Sequence, residues 1–183
     1  MYDDLKIIHW PDPRLLKMSK PVAVFNASLR ALADRMFVLM REAKGVGLAA
    51  PQVGHNIRLF VMNPTGKPED DRVYINPILT NAEGEEEGEE GCLSLPGIHV
   101  NIYRSIRMHM SARDLDNKSI EEDADGYIAR IWQHEFDHLN GTLLTDRMSP
   151  VARLTNRKIL SELKAEYDAA HPPPPPSKKV KKR

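Results

Sequence analysis

From Ser28 onward, apolar residues return every three or four positions. Leu29, Leu32, Met36, Leu39, Met40 and Ala43 share one side of a helical projection, and this period predicts an amphipathic helix. Asn26 or Ser28 is placed to cap its start, and Gly45 to end it. Before it, Asp12–Leu16 (DPRLL) predicts a short helical turn with Pro13 in its first turn. GVGLAAPQVG, from Gly45 to Gly54, is too rich in glycine and proline for a regular element. Ile57–Asn63 (IRLFVMN) and Val73–Leu79 (VYINPIL) read as strands. Gly84–Gly91 (GEEEGEEG) reads by composition as a solvated loop. Ile106–Lys118 predicts a strand that ends in a turn at Asp116-Asn117. Asp125 then stands at the start of a strong helix, GYIARIWQHEFDHL, which Asn140-Gly141 stops. A last helix is expected from about Ser149 to Ala169.

The order is helix, strands, helix, helix. It favours an α+β domain over a doubly wound α/β one. Residues 1–170 are expected to form that single domain. Residues 171–183, HPPPPPSKKVKKR, join a proline run to five basic residues and cannot bury a core, so disorder is expected there.

Composition narrows the class without naming a chemistry. With 183 residues, 41% of them hydrophobic, the chain suits one well-cored domain. A formal net charge of zero gives no global pull toward DNA or a membrane surface, so any such pull must be local. Cys92 is the single cysteine. One thiol makes no internal disulfide, which points to a reducing, cytoplasmic setting. MYDDLKIIHW does not read as a secretory signal. No stretch reaches the roughly 20 apolar residues of a membrane span. The expectation is a cytosolic enzyme or binding domain.

The chemistry concentrates in QHEFDHLNG, Gln133–Gly141. With about 100° per residue, His134 and His138 lie about 40° apart, one turn separated, on the same helix face. Two imidazoles so placed can share one metal ion. Glu135 lies about 60° round from His138, close enough to act as a base without being forced to ligate. Tyr127 and Ile131 fall on the metal-facing side and are expected to line a substrate pocket. Ile128, Trp132, Phe136 and Leu139 point the other way, into a core. Arg130 and Asp137 read as solvated charges. Gln133 stays open between a contact to the ligands and a merely polar position. A catalytic site of this type needs a third protein ligand. Downstream candidates are Glu162, Glu166 and His171, the pattern of a zinc endopeptidase. The upstream candidate is Cys92. A lone cysteine is commonly a small buried hydrophobe, but this one follows a glycine in a polar loop.

Three stretches occur in order: GVGLAAPQ (Gly45–Gln52), EGCLS (Glu90–Ser94) and QHEFDHLNG. Together, over roughly residues 3–165, they resemble the peptide deformylases, which remove the formyl group from the N-terminal methionine of new bacterial and organellar proteins. No large insertion surrounds Cys92, as in the shorter bacterial-type members. The resemblance implies mixed or antiparallel sheets around a central HExxH helix, with an N-terminal and a C-terminal helix. It implies that Cys92, His134 and His138 bind one divalent transition metal, usually Fe²⁺. Two imidazoles and a thiolate would equally suit Zn²⁺, Ni²⁺ or Co²⁺. It further implies that Glu135 is the acid–base group, and that Gln52 and the backbone N–H of Leu93 face the reacting carbonyl. Val46 and Gly47 would contact the substrate backbone, and Glu90 would pair with Arg104 to brace the cysteine loop. The partner implied is an N-formylmethionyl peptide still on the ribosome. The basic tail could add a transient contact to ribosomal RNA. The chain departs from the pattern at His99, where many members carry arginine. A non-catalytic peptide-binding relative would need a broken constellation, and every expected catalytic position is present.

Overall fold

In the computed structural model, residues 2–172 are described. Most of the expected disordered tail, 173–183, lies outside them. The helical period near the N-terminus is realised as α1, Ala27–Glu42. Asn26 rather than Ser28 caps it, its side chain accepting from Leu29 N at 3.0 Å. The end differs from expectation. Lys44, not Gly45, takes the left-handed conformation (φ 55°). The N–H groups of Lys44 and Gly45 donate back to Arg41 O at 2.9 Å and Met40 O at 2.8 Å, closing the last turn. The bare Cα of Gly45 serves packing instead, because a Cβ there would lie 2.7 Å from Leu93 Cδ1.

GVGLAAPQVG is more regular than its composition suggests. It contains β1, Gly47–Ala49, and a 3₁₀ turn over Ala50–Val53. The first predicted strand shortens to β2, Leu59–Met62, and the second lengthens to β3, Arg72–Glu83. β3 carries Pro77 beside a register shift, where no ladder bond is lost. Asn76 there has φ 52°, and its side chain bonds Val22 N and O at 2.8 and 2.9 Å.

The acidic segment is not a loop. Glu86–Cys92 is β4, paired antiparallel with β5, Leu95–Arg104. Ile98, Val100, Ile102 and Arg104 of β5 are buried, while His99, Asn101 and Tyr103 are exposed. This two-residue alternation defines a half-buried strand. The predicted strand from Ile106 is β6, Arg107–Arg113, followed by β7, Ser119–Asp125, which the composition concealed. β7 is an edge strand with charges on its open side.

The main sheet has five strands in the order β1-β2-β3-β6-β7, and β4-β5 form a second sheet. Every named pairing is antiparallel. The second helix, α2, spans Gly126–Leu139 as the period predicts. Asp125 holds the N-cap position, but its side chain makes no capping bond. Gly141 (φ 71°) closes the helix, and a Cβ there would strike Leu16 O at 2.6 Å. A one-turn helix, α3 (Leu144–Arg147), follows, and the single C-terminal helix expected beyond it is instead two pieces, α4 (Pro150–Thr155) and α5 (Arg157–Ala170). Ser149 caps α4 and Asn156 separates it from α5.

Strand β2 is buried on both faces. Leu59 and Val61 join the core under α1, and Phe60 and Met62 join the core with Ile131, Trp132 and Leu139 of α2. The inner face of the β4–β5 hairpin packs with Leu160 and Leu163 of α5. Helix α2 is therefore enclosed, with the large sheet on one side and the hairpin on the other. This is the α+β arrangement of antiparallel sheets around the histidine helix.

Candidate metal centre

Helix geometry sets His134 and His138 one turn apart, ring centroids 5.1 Å from each other. Cys92 ends β4, where the register slips between Gly91 and Cys92 and turns the thiol toward the helix. Donor atoms of Cys92, His134 and His138 all lie within 4.8 Å of one another, with Cys92 Sγ 3.3 Å from His138 Nε2. The downstream candidates do not join them. Glu162 and Glu166 are exposed on α5, and His171 is exposed and turns back to Tyr167 O.

The donors fit a divalent transition ion. Two imidazoles and one thiol is a borderline-soft set, and it leaves room for a further position, as catalytic sites require. Glu90 Oε2 holds His134 Nδ1 at 2.9 Å, which leaves Nε2 for the site. Glu135 Oε2 is buried without a hydrogen-bond partner, an atom that calls for a ligand or proton carrier beside it.

Electrostatics separate the two imidazoles. Burial opposes charge on His134, but hydrogen bonds to Cys92 and Glu90 outweigh it and hold its pKa well above the ordinary value. Burial pushes His138 well below, and the nearby His134 adds to the effect. A bound cation would favour the neutral form of both. Burial raises the Glu135 carboxyl to about 7, in the range that suits a proton shuttle.

Around this candidate ligand set runs a buried ionic network. Arg104 Nε and Nη2 grip the two oxygens of Glu90, both at 2.9 Å. Arg104 also donates to Asp137, which Arg147 grips from the other side. Arg130 Nη1 donates to Glu90 Oε1 at 2.9 Å. Arg130 and Asp137 are thus not solvated charges: they are 8% and 9% exposed. The reason is that this stretch of α2 lies between the sheet and the hairpin, where Arg130 meets Glu90 and Asp137 meets Arg104 instead of water. Gln133 bonds Ser105 O and N at 2.9 and 3.0 Å, tying the turn after β5 to α2 rather than touching the ligands. Phe136, expected in the core, is half-buried with the Arg58 guanidinium 5.1 Å above its ring.

Burial would raise the Glu90 pKa, but Arg104 and then His134 outweigh it and hold the carboxyl at about 2, against an ordinary 4.5. A depressed carboxyl stabilises the fold fully above its unfolded value and loses that contribution as pH falls toward the folded one. The difference corresponds to about 3 kcal/mol. We expect wild-type melting temperature to fall between pH 4.5 and 2, with Glu90→Gln lower at neutral pH and flatter across that window. Thermal melts across a pH series check this. Parallel curves would show that Glu90 is not the titrating group.

Cys92 and His134 open into a cleft of about 650 Å³, lined among others by Val46, Gly47, Gln52, Leu93, Tyr127 and Ile131. Gln52 is buried. Its Oε1 accepts from Ala49 N at 2.8 Å, so Nε2 is turned toward Ser94 Oγ (3.2 Å) and Cys92 Sγ (3.6 Å). Ile131 is buried in the wall, and Tyr127, 55% exposed, stands at the rim. His99 also lines the cleft, its ring close over Gly91. At Gly47 a Cβ would lie 2.3 Å from Glu135 Oε1. Gly47→Ala should therefore displace Glu135 and lower kcat by about 100-fold, the usual cost of misplacing a reacting group by about 1 Å. Kinetics together with an intact melting temperature would check it, and unchanged kcat would refute the contact.

Sequence reading passed over Ser94 and His9, and took Arg130 and Asp137 for surface charges. For Arg130 a signal existed: positions 130, 134 and 138 share one helical face. Ser94 and His9 offered none: only folding brings the Ser94 hydroxyl to Gln52 and His9 to the cleft wall.

Comparison with known proteins gives the family. The polypeptide deformylase family model matches residues 4–154. The peptide deformylase of Chromobacterium violaceum is 45% identical over 160 residues, covering 87% of this chain and 94% of the relative. That of Thermotoga maritima is 46% identical over 153 residues, covering 83% and 92%. Among solved structures, Plasmodium falciparum peptide deformylase superposes with a TM-score of 0.89 at 38% identity, over 92% of this chain and all of that one. A plant peptide deformylase 1B gives 0.90 at 36% identity, over 97% and 98%. The chain belongs to the polypeptide deformylase family.

Proposed function

We propose that this protein is a metal-dependent hydrolase that removes the N-formyl group from the N-terminal formylmethionine of nascent polypeptides, releasing formate. The observation that carries this reading is the convergence of Cys92, His134 and His138 at the floor of the cleft, with the Glu135 carboxyl beside them and not among the ligands. When bound, the ion supplies Lewis acidity, acidifying water and drawing charge from the formyl oxygen. Glu135 takes the proton of the attacking water and delivers it to the departing amine nitrogen. Gln52 Nε2 and the Leu93 N–H donate to the oxygen that gains charge, and one such donor contributes about 3 kcal/mol. Val46 and Gly47, at the start of the sheet-edge strand β1, bind an extended peptide along its backbone. Val46, Tyr127 and Ile131 offer apolar surface to the methionine side chain.

Ferrous iron is the metal of this reading. Aerobic exposure should inactivate the native-metal enzyme through oxidation of Fe²⁺ or of the Cys92 sulfur, and nickel or cobalt replacement should slow the loss. Equal half-lives in air and under nitrogen would remove the iron assignment. A cytoplasmic site of action belongs to the same reading. Among the described residues no helix is long and apolar enough to cross a membrane. A weak contact of basic positions 178–183 with ribosomal RNA also belongs to it, and is carried by sequence alone. The decisive assay is anaerobic formate release from formyl-Met-Ala by the iron-loaded protein. A metal-loaded protein that releases no formate would refute the function, and cleavage at internal peptide bonds would mark an endopeptidase.

A further inference from the structure

We propose that Arg130 is a positioning residue of the metal centre. It clamps the cysteine-bearing hairpin onto the histidine-bearing helix and, through Glu90, fixes the aim of His134. The inference rests on reading Cys92, His134 and His138 as the ligands. Those ligands come from two separate layers, so their spacing depends on whatever holds hairpin and helix in register. Arg130 sits one turn before His134 on α2 and reaches across to both strands. Its Nη1 donates to Glu90 Oε1 and to Ile102 O, each at 2.9 Å, and its Nη2 donates to Glu86 O at 3.0 Å. One guanidinium thus engages β4, β5 and the Glu90 carboxylate at once. A lysine ammonium, a compact charge without the planar fork, cannot reproduce that span.

The effect reaches His134 through Glu90. A carboxylate has about four acceptor directions. Glu90 Oε1 receives Arg104 and Arg130, and Oε2 receives Arg104 and faces His134 Nδ1. With every direction occupied, the carboxylate cannot rotate, and the imidazole it holds cannot turn. The two arginines cross between the layers in opposite senses. Arg104 reaches from β5 to Asp137 on α2, and Arg130 reaches from α2 to the hairpin. An independent sign of this seating is Gly88. It is not among the glycines with positive φ, so its backbone does not demand glycine. A Cβ there would instead lie 2.8 Å from Arg130 Cζ and 2.9 Å from Nη2. The bare strand at Gly88 is the bed on which the guanidinium lies.

The test uses cobalt-substituted protein, whose visible absorption reports ligand geometry and needs no substrate, so failure of the deformylation assay does not enter the result. Arg130→Met and Gly88→Ala should each shift the ligand-field bands and weaken cobalt retention against a chelator, by about 10-fold or more for Arg130→Met. Arg130→Lys should fall between Arg130→Met and the unsubstituted protein. The double variant should be no worse than Arg130→Met alone, because Gly88→Ala acts only through the guanidinium. In formate release, kcat should fall with KM within about twofold of the unsubstituted value. Should Arg130→Met fail to fold, Arg130→Lys and Gly88→Ala carry the same readouts. Cobalt bands and retention equal to those of the unsubstituted protein in every folded variant, whatever the melting temperatures, would overturn the proposal. An unsubstituted protein without a Cys92-dependent thiolate band would overturn the ligand reading beneath it.

Discussion

Glu135→Gln should keep its metal and lose about 10³- to 10⁴-fold in kcat, the range that a positioned proton carrier contributes. Glu135 is buried, and it is not one of the converging ligands. Glutamine has the same shape, so the floor of the cleft should stay intact, but an amide cannot accept the proton of the attacking water. Burial raises the Glu135 pKa to about 7. As a base it works deprotonated, so kcat/KM of the unsubstituted enzyme should rise with pH through a limb near that value, shifted down by any bound cation. The residual activity of Glu135→Gln should lack the limb. The measurement pairs metal content per chain with formate release across pH. Near-normal turnover by a metal-loaded Glu135→Gln would take this residue out of the mechanism.

Cys92→Ala should lose most of its metal while the fold survives. Two imidazoles on one helix turn leave the ion half-enclosed. The roughly 10–16 kcal/mol of a four-ligand structural site corresponds to about 3 kcal/mol per ligand, on the order of 100-fold in Kd. Packing loses little, because only a sulfur is removed from a cluster that also contains Leu95, Ile98, Val100 and Ile102. Metal analysis of protein purified without oxygen, with circular dichroism alongside, separates the outcomes. Full metal retention would mean that another group completes the site.

What the sequence made legible follows from the range of the interactions involved. Helix α2 was readable to its last residue because periodicity, a capping position and Gly141 are all local signals. The pair His134 and His138 was legible from helical spacing, but the choice of Cys92 over the downstream candidates came only through the ordered motifs, since nothing local relates a thiol to imidazoles 42 and 46 positions later. β4 was hidden because its glutamates on the inner face, Glu86 and Glu90, are matched by arginines from elsewhere. Composition sees the acids and cannot see the partners. Arg130 and Asp137 were misjudged for the same reason. The left-handed Lys44 escaped because local preference gives that conformation to glycine, whereas Gly45 is kept bare by Leu93 packing against it.

The split of the ligand set between a hairpin and a later helix has a consequence in time. Synthesis runs from the N-terminus, so Cys92 leaves the peptidyl-transfer centre 42 residues before His134. At about 5–20 residues per second, that gap is about 2–8 s. During it the hairpin β4–β5 can form by local pairing, but Arg104 and Glu90 have neither Asp137 nor Arg130 to meet. The thiol is therefore made before either imidazole that converges on it, and a centre built on all three can assemble only after His138 has followed. An enzyme proposed to act on nascent chains is, as a nascent chain itself, without a centre until the histidine helix has joined the hairpin.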